Sequence, residues 1–210
     1  MGITAIGYGS ILLFGASLLL LNLSELFTFI NWTRSISNSQ RHTKIGYIKN
    51  SIRSDKGSSL LIVCSFIATG LLAYWLSQAL PQFAVGIPYY VYITLGAVLL
   101  LVCMAVRRWS VHALGPFFTH LLSIREGHTV IKSGPYRYLR HPSYAAGLLA
   151  PLGFGIAFGN WISILACILI PVSAYVVRIT IEERMLVENL GKPYLEYKEE
   201  VGYRLLPWIW

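Results

Sequence analysis

Apolar and polar positions fall in long blocks along this chain, not at the short spacing of an amphipathic soluble fold. No Asp, Glu, Lys or Arg occurs between Leu60 and Val106 or between Pro142 and Val177, and the run from Ile3 to Ile30 carries Glu25 as its single charge. A helix needs roughly 20 apolar residues to cross the hydrocarbon core, so these blocks predict membrane spans over 3–30, 60–80, 89–106, 142–158 and 161–181. The uncharged stretch 81–88 turns the second span into the third. Gly159-Asn160 leaves so short a connection that the last two spans must form an antiparallel hairpin. The expected fold is all-α, a polytopic membrane protein with about five transmembrane helices.

The polar blocks orient it. Residues 33–59 hold Arg34, Arg41, Lys44, Lys49, Arg53 and Lys56 against Asp55; Arg107-Arg108-Trp109 closes the third span, and charge returns at Arg178. Bases mark the cytoplasmic side, which puts the N-terminus outside and the C-terminus in the cytoplasm of either a bacterial cell or one with an endoplasmic reticulum. The 33–59 loop is either an amphipathic surface helix meeting anionic membrane lipids or a solvated linker. Glu25 sits close enough to its span's end to snorkel to the headgroups. The N-terminal run is too long for a cleaved leader and is expected to remain as the first span.

Composition agrees: 55% hydrophobic, 12% charged, mean hydropathy +0.59. The net charge of +8 would suggest nucleic acid in a soluble protein, but here it belongs to the segments flanking the spans, and no nucleic-acid partner is expected. Cys64, Cys103 and Cys167 lie in apolar blocks without metal-like spacing, so they read as small buried hydrophobes and no metal site is expected. Two regions follow: 1–106, with three spans and the basic loop, and 107–210, with a polar strip, the hairpin 142–181 and an amphipathic tail.

The chemistry concentrates in that second region. Gly134-Pro135-Tyr136-Arg137-Tyr138-Leu139-Arg140-His141-Pro142-Ser143-Tyr144 places bases, aromatics and a histidine where a span begins. Proline suits the first helical position and keeps its predecessor out of the α region, so His141 is expected at a helix mouth, beside amide donors suited to a polar, partly anionic ligand. The alternative is a juxtamembrane turn of headgroup-facing bases and belt tyrosines. Arg178 and Glu182, four apart, share a helix face; they form either a surface ion pair or, because the hairpin returns span five beside the start of span four, one wall of a pocket. His112 and His120 have no partner at metal spacing and read as interfacial.

The runs Glu126-Gly127-His128-Thr129-Val130-Ile131-Lys132-Ser133-Gly134-Pro135-Tyr136, Arg140-His141-Pro142-Ser143-Tyr144, Glu182-Glu183 and Gly191-Lys192-Pro193-Tyr194-Leu195-Glu196-Tyr197-Lys198 together resemble the isoprenylcysteine carboxyl methyltransferase family of integral membrane enzymes, over roughly residues 107–207. The resemblance implies a pocket at the cytoplasmic face, formed by the C-terminal half, and S-adenosylmethionine as cofactor. Carried over by position, cofactor contacts fall on His128, Thr129, Val130, Ile131, Tyr136, His141, Pro142, Ser143, Tyr144 and Glu182, with Ser123 as the match for a polar contact upstream. Arg178 takes the acceptor-side role, and Arg178 and Glu182 are the expected catalytic residues. The family often carries a longer acidic run where this chain has Thr180-Ile181-Glu182-Glu183.

The implied reaction is methylation of the carboxylate of a prenylated cysteine or similar lipophilic acid that enters from the bilayer. Similar Arg-His-Pro and Glu-Glu patterns occur in phospholipid amine and small-thiol methyltransferases. An amine acceptor would need a base, for which Glu183 is the nearest residue. An NADPH-dependent membrane reductase, or a non-enzymatic protein on the same scaffold, are the readings from other classes.

Overall fold

The computed structural model describes residues 57–119 and 127–210, together with Gly15, Asp55, Leu122 and Ile124. The expected first span with Glu25, nearly all of the basic 33–59 loop, His120 and Ser123 lie outside the described residues. The described chain folds into helices α1 (Ser58–Ala79), α2 (Tyr89–Leu114), α3 (Pro142–Ala157), α4 (Trp161–Leu190) and α5 (Lys192–Glu200). Short 3-10 turns lie at Pro81–Phe83, Gly115–Phe117 and Gly134–Arg137. The fold is all-α, and the pairing of Ala84 with Asn160 is an isolated bridge. Helices α1, α2 and α4 are each long and apolar enough to cross a membrane, whereas α3 is a shorter apolar helix of 16 residues. The chain is that of an integral membrane protein.

Two helices outrun the hydropathy that predicts them. Helix α2 continues past Val106 to Leu114, and α4 past Ile181 to Leu190. Charge ends the apolar block, but backbone hydrogen bonding ends only where the chain supplies a breaker: Gly115 with Pro116 after α2, and Gly191, at φ 58, with Pro193 after α4. Both helices therefore carry their charged last turns as rigid extensions, and residues 107–114, which follow the third apolar block, are helical.

Small residues set the helix spacing. A Cβ on Gly153 of α3 would come 2.9 Å from the Gly96 carbonyl of α2, and one on Gly155 would come 2.8 Å from the Ile164 Cα of α4. Close backbone approach of this kind suits membrane helices, which gain from packing rather than from expelling water. Around these contacts Ala73, Leu100, Cys103, Ala150, Phe154, Phe158 and Cys167 form the core. Cys103 and Cys167 are buried as expected; Cys64 is not, because its position on α1 turns it outward with Leu60, Val63 and Leu71. At the hairpin, Asn160 caps α4 by accepting from the Ile162 and Ser163 amides and donates to the Leu80 carbonyl at 2.9 Å, tying the α1–α2 turn to the α3–α4 turn.

Candidate active site

The polar strip begins with a 3-10 turn at Gly134–Arg137 that buries Pro135 and Tyr136. His141 is the N-cap of α3 and Pro142 its first residue. The Arg140 and His141 amides, the donors expected to be open at this helix mouth, are taken by the chain after α5: they donate to the Tyr203 carbonyl at 2.9 Å and the Arg204 carbonyl at 3.0 Å. The C-terminal segment thus lies along the strip, and with its amide taken His141 has its imidazole left to line the cavity.

Glu183 fastens that segment. Its carboxylate accepts from Arg140 Nε at 2.7 Å and from Arg204 Nε at 3.1 Å, with Lys198 Nζ at 3.8 Å and His141 Nε2 at 3.4 Å. The side chains of Glu183 and Arg140 are 6% and 5% exposed, so a group considered as a general base is a buried, charge-saturated clasp. Arg140 also donates to the Val201 and Gly202 carbonyls.

One turn earlier the chemistry is different. Arg178 donates through Nε to the Tyr144 hydroxyl at 2.8 Å, and through Nη1 to Asp55 Oδ1 at 2.8 Å, Ser59 Oγ at 2.7 Å and Ser58 Oγ at 3.0 Å. Its ion-pair partner is thus Asp55, which stands just before α1. Burial pushes the Asp55 carboxyl upward, but hydrogen bonds from the Ser59 amide and hydroxyl, the Arg178 charge and the Leu122 amide outweigh it and hold it below the ordinary carboxylate value. The Tyr144 ring, whose hydroxyl accepts from Arg178 Nε, stacks on His141 with centroids 5.5 Å apart and planes 2° from parallel. His141 Nδ1 lies 3.7 Å from Glu182 Oε2.

These groups border one cavity of about 580 Å³, within the usual range for small-molecule sites. Ile62, Phe66, Cys103, Gly147, Ala150 and Tyr175 give it an apolar arm among α1, α2, α3 and α4; His128, Thr129, Val130, Ile131, Tyr136 and Tyr194 give it a polar arm. Arg178, Tyr144, Glu182, His141 and Ser143 also line it. Of the residues singled out from sequence, Pro142 is buried behind the wall and Ser123 is outside the described residues. Sequence reasoning did not single out Asp55, Ser59, Tyr175 or Arg107, whose Nη1 donates to Ser143 Oγ at 3.0 Å. The signal for Asp55 was its being the lone acid in a base-rich segment.

Among the described residues, Glu182 Oε2 and the Tyr194 hydroxyl are buried on this wall with no hydrogen-bond partner, and His141 Nε2 lies 3.4 Å from the Glu183 carboxylate. Burial, with the Glu182 charge next, pushes the Tyr136 phenol well up, and burial beside Glu183 and Glu182 does the same for Tyr194. Both remain neutral hydrogen-bond donors at physiological pH. The wall therefore offers an acceptor with a negative charge, neutral phenols, an imidazole and the Arg178 guanidinium around one space.

Residues 94–188 match the model of the isoprenylcysteine carboxyl methyltransferase (ICMT) family. Protein-S-isoprenylcysteine O-methyltransferase A of Arabidopsis thaliana is 33% identical over 109 residues, which are 51% of this chain and 55% of that protein. Protein-S-isoprenylcysteine O-methyltransferase of Saccharomyces cerevisiae is 28% identical over 151 residues, 70% of this chain and 63% of that protein. The chain thus spans less than two thirds of the length of these relatives. The solved structure of the eukaryotic intramembrane Ras methyltransferase ICMT superposes with a TM-score of 0.53 at 24% identity, covering 70% of this chain and 52% of that one, and so shares the fold.

Proposed function

With the match of residues 94–188 to the isoprenylcysteine carboxyl methyltransferase family as premise, we propose that this protein is an S-adenosylmethionine-dependent membrane methyltransferase acting on the carboxylate of a prenylated cysteine or a similar lipophilic acid. The observation that carries this reading is the single cavity that Arg178 and Glu182 line together with the apolar arm and the polar one. The positive-inside rule places the polar arm at the cytoplasmic face.

The residues present fit the cofactor's chemistry. Glu182 Oε2, buried and without a hydrogen-bond partner among the described residues, suits an ammonium or ribose hydroxyls. The Tyr194 hydroxyl, likewise buried without a hydrogen-bond partner among the described residues, can meet its other polar edges, together with the His141 imidazole and segment 128–131. Tyr136 and Tyr144 supply aromatic faces that attract a cationic sulfonium. When bound, S-adenosylmethionine supplies an electrophilic methyl group.

This chain's residues then align the acceptor. Its carboxylate is already ionised near neutral pH, so an oxygen lone pair would take up the methyl group, with a neutral thioether as the leaving group. No proton moves, so no general base is required. Arg178 orients the carboxylate, while the apolar arm holds the lipid chain and excludes water, leaving catalysis to alignment and desolvation. The clasped state of Glu183 argues against an amine acceptor, which would need a free base.

The test is calorimetric binding of S-adenosylmethionine to the detergent-purified protein, beside Glu182→Ala and Arg178→Lys; the lysine keeps a charge opposite Asp55 but loses the fork that also reaches Tyr144. Binding lost in Glu182→Ala and kept in Arg178→Lys, with prenylcysteine methylation lost in both, supports the reading. No binding by folded wild-type protein sinks it.

A further inference from the structure

The functional reading leaves without a role the carboxylate paired with Arg178, that of Asp55. It is not on the cavity wall; it stands behind Arg178, with its side chain 4% exposed. Its Oδ1 accepts from Arg178 Nη1 at 2.8 Å, from Ser59 Oγ at 2.8 Å, and at 3.3 Å from both Ser58 Oγ and the Leu122 amide. Its Oδ2 accepts from the Ser59 amide at 3.0 Å. One carboxylate thus joins the start of α1, the cytoplasmic-side reach of α4 and Leu122, a residue that itself lines the cavity.

We propose that Asp55 is a positioning residue for methyl transfer, holding the Arg178 guanidinium in its acceptor-facing orientation and locking Leu122 against the cavity. The inference rests on the functional reading above. A guanidinium fixed by one carboxylate behind it and by Tyr144 at Nε cannot swing to follow an incoming acid, so the acceptor oxygen meets a donor already in place. The same pairing shares out the charge of Arg178. An acceptor carboxylate held by an unshared guanidinium would be bound tightly and its lone pair dulled; one held by a guanidinium already paired with Asp55 is oriented with less loss of nucleophilicity.

Asp55 acts through Arg178, so its removal should touch the acceptor and not the cofactor. The experiment measures kcat and KM for N-acetyl-S-farnesylcysteine, calorimetric affinity for S-adenosylmethionine, and melting in detergent, for wild type, Asp55→Asn and Asp55→Glu. Because a misplaced guanidinium costs alignment, kcat/KM for the acceptor should fall about tenfold or more in Asp55→Asn, while cofactor affinity changes by less than about twofold. Asp55→Glu, which restores the charge one methylene further out, should recover part of the loss. A merely structural role would lower melting and cofactor affinity together.

Acceptor kinetics in Asp55→Asn within about twofold of wild type overturn the inference, as does a loss that cofactor affinity shares in full. If Asp55→Asn does not fold, Asp55→Glu decides: unchanged acceptor kinetics overturn the inference, and a selective loss in acceptor kcat/KM supports it. A wild-type protein that neither binds S-adenosylmethionine nor methylates the farnesylcysteine overturns the functional reading itself, and the inference with it.

Discussion

Four basic side chains converge on Glu183 while its neighbour Glu182 keeps a buried carboxylate oxygen without a hydrogen-bond partner among the described residues, so adjacent acids on one helix have opposite fates. Glu183→Gln removes the counter-charge of a buried Arg140 and of Arg204, and breaking a buried pair from one side typically costs about 3–5 kcal/mol. Unfolding in detergent should show a loss near the upper part of that range if the C-terminal segment also detaches; an unchanged melting temperature would refute the clasp. Arg178 and Glu182 were legible as residues because spacing of four fixes a shared helix face. The partner of Arg178 was not: Asp55 lies 123 positions away, in a segment that local charge describes as a basic loop. Only the fold turns its carboxylate toward α4.

At the scale of elements, the apolar blocks from residue 60 onward located α1 to α4, and α2 and α4 run on past the ends of their blocks. Hydropathy reports where a helix leaves the hydrocarbon; Gly115 and Gly191 report where it stops. The difference matters, because Arg107 and Ser110 on α2 and Met185 on α4 belong to these extensions, and Glu182 and Glu183 stand on the same continuous helix as Arg178. The glycines of α3 belong to this scale too. Gly155→Ala would drive a Cβ to 2.8 Å from backbone of α4, and Gly153→Ala to 2.9 Å from backbone of α2; neither neighbour is a side chain that can rotate away. Each should lower stability by about 1–3 kcal/mol as overpacking does. Gly202→Ala, with nothing within 4 Å, is the control that should stay within about 0.5 kcal/mol. Equal melting of all three would refute the close approach of the helices.

For the whole molecule, the question is what the apolar arm of the cavity is for. Its wall draws on α1, α2, α3 and α4 at once: Ile62 and Phe66, Cys103, Gly147 and Ala150, and Tyr175. A region boundary at residue 106 therefore does not isolate the site, since α1 supplies wall as well as the Ser58 and Ser59 hydroxyls that hold Arg178. If this arm receives the acceptor's lipid chain, each methylene moved from water into it should contribute about 0.8 kcal/mol. A series of N-acetyl-cysteines carrying S-ethyl, S-hexyl and S-farnesyl groups, assayed with detergent partitioning measured separately, should then show kcat/KM rising with chain size through KM, while kcat stays nearly level because the carboxylate and Arg178 meet in the same way. Enlarging the wall residue Ala150→Phe should weaken the farnesyl compound more than the ethyl one and leave S-adenosylmethionine affinity within about twofold. A flat series would mean that the arm takes no part in acceptor binding, and the acceptor would have to be sought among polar acids instead.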